Sequence, residues 1–306
     1  MRIDVKKPCE LSDTDVATWK ALLAANSNFS SPYLTPEWSR AVCRQRTDAR
    51  VVVYYDGDAP VGFLPVQRHS KYAALPLGGP ICDYQALICA EGADINPTDA
   101  LKALNVHRID FTYALKDQPA LGDCVHAEET GHIAQFANGW SAYEEDRRNA
   151  GSQILKRIKK KQRKFAKSAH LEIGCFLKDD AAFAQLLAWK SAQHHETHST
   201  NVLSKRWIRN VITDIYSLPQ DDDFGGALFT LRANGDLAAG LFCIRSNKTL
   251  HAWYVGHNHV YDAHSPGLIL FAEAMKAASE AGYHEMDFGA GDYRFKQSFA
   301  NCARPV

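Results

Sequence analysis

The chain has 306 residues, 46% apolar and 23% charged, with 35 basic and 35 acidic side chains. That is an ordinary globular balance, and the length suits two domains with a core each. Zero formal net charge excludes a global pull toward nucleic acid or membrane. No run approaches the roughly 18 apolar residues of a membrane span. Met1, Arg2, Ile3 and Asp4 lack the apolar stretch of a secretory leader. A soluble, cytoplasmic protein is expected.

In chain order, Ser12 precedes a helical pattern that puts Val16, Trp19, Leu22 and Leu23 on one face. The run from Arg50 to Tyr55, a turn at Asp56-Gly57-Asp58 and the run from Val61 to Val66 read as a hairpin. A Gly/Pro-rich stretch from Leu75 to Tyr84 holds a further strand. Asn96-Pro97 opens a short helix to about Val106, and His107 to Phe111 reads as a strand.

The second half repeats this order. Helices are predicted over Ala181 to Thr197 and Lys205 to Ser217. A hairpin follows, from Ala227 to Leu231 and Ala239 to Ile244 around Asn234-Gly235-Asp236. Thr249 to Gly256 gives a third strand, Ser265-Pro266-Gly267 opens a helix to about Ala281, and Tyr283 to Phe288 closes with a strand. The closing strands read His107-Arg108-Ile109-Asp110-Phe111 and His284-Glu285-Met286-Asp287-Phe288, at nearly equal separations from the two hairpin turns. Equal order and spacing predict an internal duplication. The domains are expected at 1–145 and 171–306.

The segment 146–170 between them is strongly basic: Arg147, Arg148, Lys156, Arg157, Lys159, Lys160, Lys161, Arg163, Lys164 and Lys167. It reads as a helical linker. It is either a solvated face or a cationic surface for CoA phosphates, anionic lipid or tRNA.

The element order of helices, hairpin, strand, helix and strand is the core of the GNAT acyltransferase fold. Several segments add to it: Tyr33 to Trp38, Gly78-Gly79-Pro80 with Asp83-Tyr84, Lys190 with Gln193, His251-Ala252-Trp253, Tyr261-Asp262, His264 to Gly267, and Asp287-Phe288-Gly289 with Gly291-Asp292-Tyr293 and Lys296. In this order they resemble the CelD-like (cellulose-biosynthesis protein) acetyltransferase family of the GNAT superfamily, a relative of the FemAB peptidyltransferases. The resemblance implies two tandem GNAT-like lobes, each a mixed sheet flanked by helices. It also implies acyl-CoA or acetyl-CoA as donor and an acceptor from cell-envelope or exopolysaccharide metabolism. The phosphate-loop consensus of many GNAT enzymes is absent from Asn258 to Gly267.

GNAT chemistry needs a held thioester, an amine that arrives deprotonated and a thiolate that leaves protonated. The slot for the pantetheine is expected between Thr249–Gly256 and Tyr283–Phe288. The pyrophosphate would sit at the helix start, with Ser265 as N-cap, Pro266 at N1 and Gly267 allowing close approach. His264, Tyr293 and Lys296 are the other donor-binding candidates.

Asp292, His251 and Asp287 are the catalytic candidates: a carboxylate to hold an ammonium, an imidazole near neutrality, and a strand-end carboxylate. Strand alternation sends His251 and Trp253 to one face and Tyr254 to the other. A single strand histidine is more often structural, and the matching Asp110 weakens a catalytic role for Asp287, since both aspartates can serve the fold. Lys190, Gln193 and His194 share a helix face. With Asp83 and Tyr84 from the first half they form the candidate acceptor site in a cleft between lobes. The alternatives are a FemAB-like, aminoacyl-tRNA-dependent transferase and a non-catalytic binding module.

No metal is expected. The fragment His194-His195-Glu196 with His198 lacks His-Glu-x-x-His spacing, and the 8 cysteines form no Cys-x-x-Cys pair. Peripheral contact with anionic membrane through the basic segment is the one partner expectation beyond donor and acceptor.

Overall fold

The computed structural model describes all residues except Asp117, Pro119, Ala120, 122–124, His198, Ser199 and Asp292. It divides into two compact units: Met1–Gly131 with Arg304–Val306, and His132–Ala303.

The first unit contains β1 (Arg2–Lys6), α1 (Asp13–Ala25), α2 (Pro36–Gln45), β2 (Ala49–Asp56), β3 (Ala59–Gln67), β4 (Ala73–Pro76), β5 (Ile88–Cys89), α3 (Asp99–Leu104) and β6 (Arg108–Ile109). Its strands are ordered β1-β2-β3-β4-β6, with β5 paired to β3 off that path. Ser12 caps α1 by accepting the Asp15 amide at 3.1 Å. On one face of the sheet Trp19 of α1 stacks on Phe63 of β3 at 4.8 Å. Both Trp19 and Trp38 of α2 are fully buried. Each indole N–H reaches a carbonyl, Leu34 at 2.9 Å and Leu77 at 3.2 Å, so neither buried donor is left unmet. Val52, Tyr54, Leu64 and Val66 form a core with Ala100 and Leu104 of α3.

The larger sheet begins with β7 (Thr130–Gln135). Then come α4 (Trp140–Asn149), α5 (Ile154–Phe165), β8 (Leu171–Leu177), α6 (Asp180–Glu196), α7 (Arg206–Ser217), β9 (Phe224–Ala233), β10 (Asp236–Ser246), β11 (Thr249–His257), α8 (Pro266–Glu280), β12 (Glu285–Ala290), α9 (Arg294–Phe299) and β13 (Cys302–Pro305). The strand order is β13-β7-β12-β11-β10-β9-β8. Asn234 and Gly235 both have positive φ, at 52° and 89°. A two-residue turn with a right-handed twist requires that backbone, and it fixes the β9–β10 hairpin. One face of the sheet carries Phe183 of α6 stacked on Tyr216 of α7 at 4.0 Å. The other buries α8 and α5 in a core with Phe229, Leu241 and Met275.

The basic segment is therefore not a linker. Ile154, Leu155, Ile158 and Phe165 of α5 are buried in the core of the second unit, and the boundary falls after Gly131 instead. An amphipathic helix with four buried apolar side chains cannot leave them in water without losing their transfer free energy.

Both units follow one connection scheme. An edge strand is followed by two helices, a hairpin, a third strand, a helix, and a closing strand parallel to the third, with β5 inserted before the helix in the first unit. β6 pairs parallel to β4 through Ala73↔Arg108 and Ala74↔Ile109. β12 pairs parallel to β11 through Thr249↔Glu285, Leu250↔Met286 and His251↔Asp287. Asp110 and Asp287 thus follow the same step in each scheme, but their surroundings differ. Asp110 is an exposed partner of Arg108 at 3.1 Å, and Asp287 is fully buried.

Candidate functional site

The chemistry-bearing residues of the second unit gather where β11 and β12 separate. The strands exchange three rungs, ending at His251 and Asp287, and both run on beyond them without further pairing to each other. Side chains meet across the last rung. His251 Nδ1 lies 3.6 Å from Asp287 Oδ1, both residues being 0% exposed. The Gly289 amide donates to Asp287 Oδ1 at 2.7 Å. Thr249 Oγ1 donates to Glu285 Oε1 at 2.9 Å on the first rung. These contacts pin the closed end of a fork. Past it, Lys296 takes up the Gly289 and Ala290 carbonyls on β12, and the facing backbone of β11 makes no ladder with β12.

Two local features open the fork. On β11 the register slips between Phe242 and Cys243, whose partners are Tyr254 and Ala252, so Trp253 is an extra residue. The bulge bends β11 where it leaves β12. It also overturns simple alternation. Val255 packs with the α8-side core, and a Cβ on Gly256 would face Leu186 and Trp189 of α6 at 3.1 and 3.2 Å. Tyr254 therefore shares the α6 side with Trp253, and their rings lie 5.3 Å apart. On β12, Gly289 has φ +70°. A residue with a Cβ rarely adopts that backbone, and here it turns the strand end and aims the Gly289 amide at Asp287.

Charge collects at the mouth. Lys190 on α6 donates to Gln193 Oε1 at 2.9 Å. Burial and the nearby positive charge of Lys296 push its pKa down. Lys296 on α9 donates to the Ala290 carbonyl at 2.6 Å and the Gly289 carbonyl at 3.4 Å, and lies 5.3 Å from the Tyr293 ring centroid. His194 is also pushed down, by burial and then by Lys190 and His195. Tyr293 is 63% exposed. Lys190, Gln193, His194, Tyr293 and Lys296 thus belong to one neighbourhood, while Asp292 lies outside the described residues.

The start of α8 differs from the capped helix expected. Ser265 adopts a left-handed conformation (φ 52°, ψ 58°) and its side chain caps nothing. Its Oγ accepts from Lys161 Nζ of α5 at 2.7 Å, and its carbonyl accepts the Leu268 and Ile269 amides. The His264 ring stacks on Phe165 of α5 at 4.2 Å and 3°. Gly267 is open: an added Cβ would meet only Val255 of β11, at 3.9 Å. The segment before α8 is a 3-10 helix, His259–His264, with no glycine-rich phosphate loop.

Sequence reasoning does not single out a trio made by the last residue of β11 and two residues of that segment. His257 Nε2 lies 2.7 Å from Asp262 Oδ1, and His259 Nδ1 lies 3.2 Å from Asp262 Oδ2. The signal available is the spacing of two histidines and an aspartate after a strand. Asp83 and Tyr84 belong to the first unit, where Tyr84 is fully buried with the Arg304 guanidinium 5.1 Å from its ring centroid. Tyr84 is a packing residue there.

Residues 152–297 match the family model of the acetyltransferase (GNAT) domain. Among curated proteins none matches the sequence. Among solved structures, FemX is 11% identical, with 100% of this chain and 95% of that chain covered at a TM-score of 0.62. The C-terminal domain of a putative lysylphosphatidylglycerol synthetase from Agrobacterium fabrum is 13% identical, with 95% and 89% covered at 0.58. A conserved protein of unknown function from Bacteroides thetaiotaomicron is 12% identical, with 99% and 98% covered at 0.60. At these identities the likeness is one of fold: a mixed α/β chain with two sheets flanked by helices. Among the described residues, no helix is long and apolar enough to cross a membrane.

Proposed function

We propose that the second unit transfers an acyl group from acyl-CoA or acetyl-CoA to an amine acceptor of cell-envelope metabolism, an amino sugar of an exopolysaccharide or a lipid precursor, as the CelD-like resemblance implies. The observation that carries this reading is the fork. β11 and β12 separate after the His251–Asp287 rung, beside the open first turn of α8. The separated backbone would pair with the pantetheine. Lys161, Ser265 and Gly267 at the start of α8 would meet the phosphates, where amides and a cation favour an anion.

The acceptor nitrogen attacks the thioester carbonyl, the C–S bond breaks, an amide forms, and the thiolate leaves with the proton the amine gives up. His251 and Asp287 act as positioning residues, because neither is exposed to a substrate. Lys190 and Lys296 set positive potential at the mouth. That potential disfavours a protonated acceptor and so favours the neutral, nucleophilic amine. The expected setting is the cytoplasm, at the inner face of the envelope.

A second reading takes aminoacyl-tRNA as donor. It is favoured by the 3-10 helix that stands where a glycine-rich phosphate loop would be. Thermal-shift titration of the full chain with CoA, acetyl-CoA, longer acyl-CoAs and tRNA separates the two, since a ligand of the folded state raises its apparent stability. Stabilisation by CoA thioesters supports the first reading. Stabilisation by tRNA alone replaces it with the second.

A further inference from the structure

One side of α5 is buried in the core, and the opposite side carries a row of cations. At about 100° per residue, the buried residues Ile154, Leu155, Ile158 and Phe165 occupy one arc of the helix. Lys156, Lys160 and Arg163 lie diametrically opposite, and Lys167 continues the row into the turn that follows. All four are exposed. Arg157 and Lys164 flank the row on one side and are also exposed. The sequence from Ser152 to Ala169 contains no acidic residue. The neighbouring acids are engaged at the margins: Glu144 pairs with Lys159 at 2.6 Å, and Glu273 accepts from Gln162 at 2.9 Å. Lys161 turns inward to Ser265. What remains outside is a straight row of cations about 16 Å long, set on a helix that its own core holds rigidly.

We propose that this face of α5 docks the protein on an anionic lipid bilayer. A row on one straight helix lies flat on a plane of headgroups, with every cation meeting the surface at once. Duplex RNA presents its phosphates along two curved strands, which one straight row follows only briefly. Single-stranded RNA is gripped by stacking on aromatic side chains, and the outer face of α5 has none. Nor does that face carry an apolar side chain to insert into the acyl region. The attachment is electrostatic, each cation is worth roughly fivefold in partition, and salt reverses it as the Debye length falls from about 10 Å at 0.1 M to about 3 Å at 1 M. This inference is independent of the transfer chemistry, because it concerns adhesion only.

The test is cosedimentation of the full chain with vesicles of phosphatidylcholine, with and without phosphatidylglycerol. Binding is expected only with the anionic lipid and only at low salt. The variant Lys160→Glu with Arg163→Glu should weaken it by at least tenfold while leaving the melting temperature unchanged, since both side chains are exposed. A second pair, Lys20→Glu with Lys102→Glu in the first unit, changes net charge equally and should bind like the parent. Equal loss in both pairs would show that net charge, not this face, is responsible, and would overturn the proposal. Failure of the parent to bind anionic vesicles, or tight binding of a duplex RNA in its place, would overturn it as well.

Discussion

The donor site is tested most directly by Gly267→Leu. Gly267 lies in the first turn of α8, and an added Cβ would meet only Val255 Cγ2 at 3.9 Å, an ordinary contact. The substitution therefore costs no backbone rearrangement, and exchanging Gly for Leu in a helix adds up to about 1 kcal/mol of propensity. The melting temperature should hold or rise slightly. The larger side chain occupies the approach to the α8 amides and to Lys161, so CoA affinity should fall at least tenfold, about 1.4 kcal/mol. Gly256→Leu is the contrasting control. Its Cβ would stand 3.1 Å from Leu186 Cδ1 and 3.2 Å from Trp189 Cβ, and overpacking of that kind costs about 1–3 kcal/mol. Isothermal calorimetry with CoA and thermal melts of parent and both variants give the comparison. Parent-like CoA affinity in a folded Gly267→Leu protein would refute the placement of the phosphates at α8.

Phe165→Ala should cost about 3–5 kcal/mol in urea unfolding, because the ring is buried against His264 and Tyr261; a loss under about 1 kcal/mol would mean that α5 is not part of the core. Asp287→Leu should destabilise by about 1–3 kcal/mol, since it strips the acceptor from the Gly289 amide, whereas Asp287→Asn keeps an oxygen there and should lose less. The labelling rate of Lys190 by an amine-directed reagent, followed against pH by peptide mass spectrometry, should show a midpoint below those of exposed lysines, and Lys296→Met should move it up by removing the like charge. In the first unit, burial of the Asp15 carboxyl raises its pKa, but bonds from Lys6, Ser12 and Tyr55 outweigh that and leave it lowered. A carboxyl lowered in the folded state stabilises above its unfolded pKa of about 3.9 and loses that contribution as pH falls through the folded value. Asp15→Asn should therefore flatten the acid limb of a stability–pH curve below about pH 4.

Much of this is legible locally. The Asn234-Gly235 turn, the Ser12 cap and the run before Gly256 declare their conformations within a few residues, and the hairpins and helices around them fall close to where the pattern puts them. The edge strands β1 and β8 are less apparent, because β1 is a strand by virtue of pairing with Tyr55 and its neighbours, far along the chain. The bulge at Trp253 is invisible to alternation, since an extra residue on one strand appears only against its partner. The residue type of Ser265 suggests a cap. Its left-handed backbone, and the inward turn of Lys161 that goes with it, depend on α5 lying against α8. The gathering of Lys190 with Lys296 depends on the same long-range packing, though each is a candidate from sequence by itself.

The route of the chain has a practical consequence. Arg304 to Val306 belong to the first unit although the whole second unit precedes them. Arg304 donates to Ser30 Oγ at 2.6 Å and covers Tyr84, and Val306 exchanges backbone bonds with Glu129 in both directions. During synthesis the amino-terminal unit can assemble its whole six-stranded sheet early, yet it must wait for residues made after the second unit before its last contacts close. A fragment ending at Gly131 would lack the backbone partner of Glu129 and the guanidinium over Tyr84, and a domain boundary drawn for expression should carry the tail along with the head.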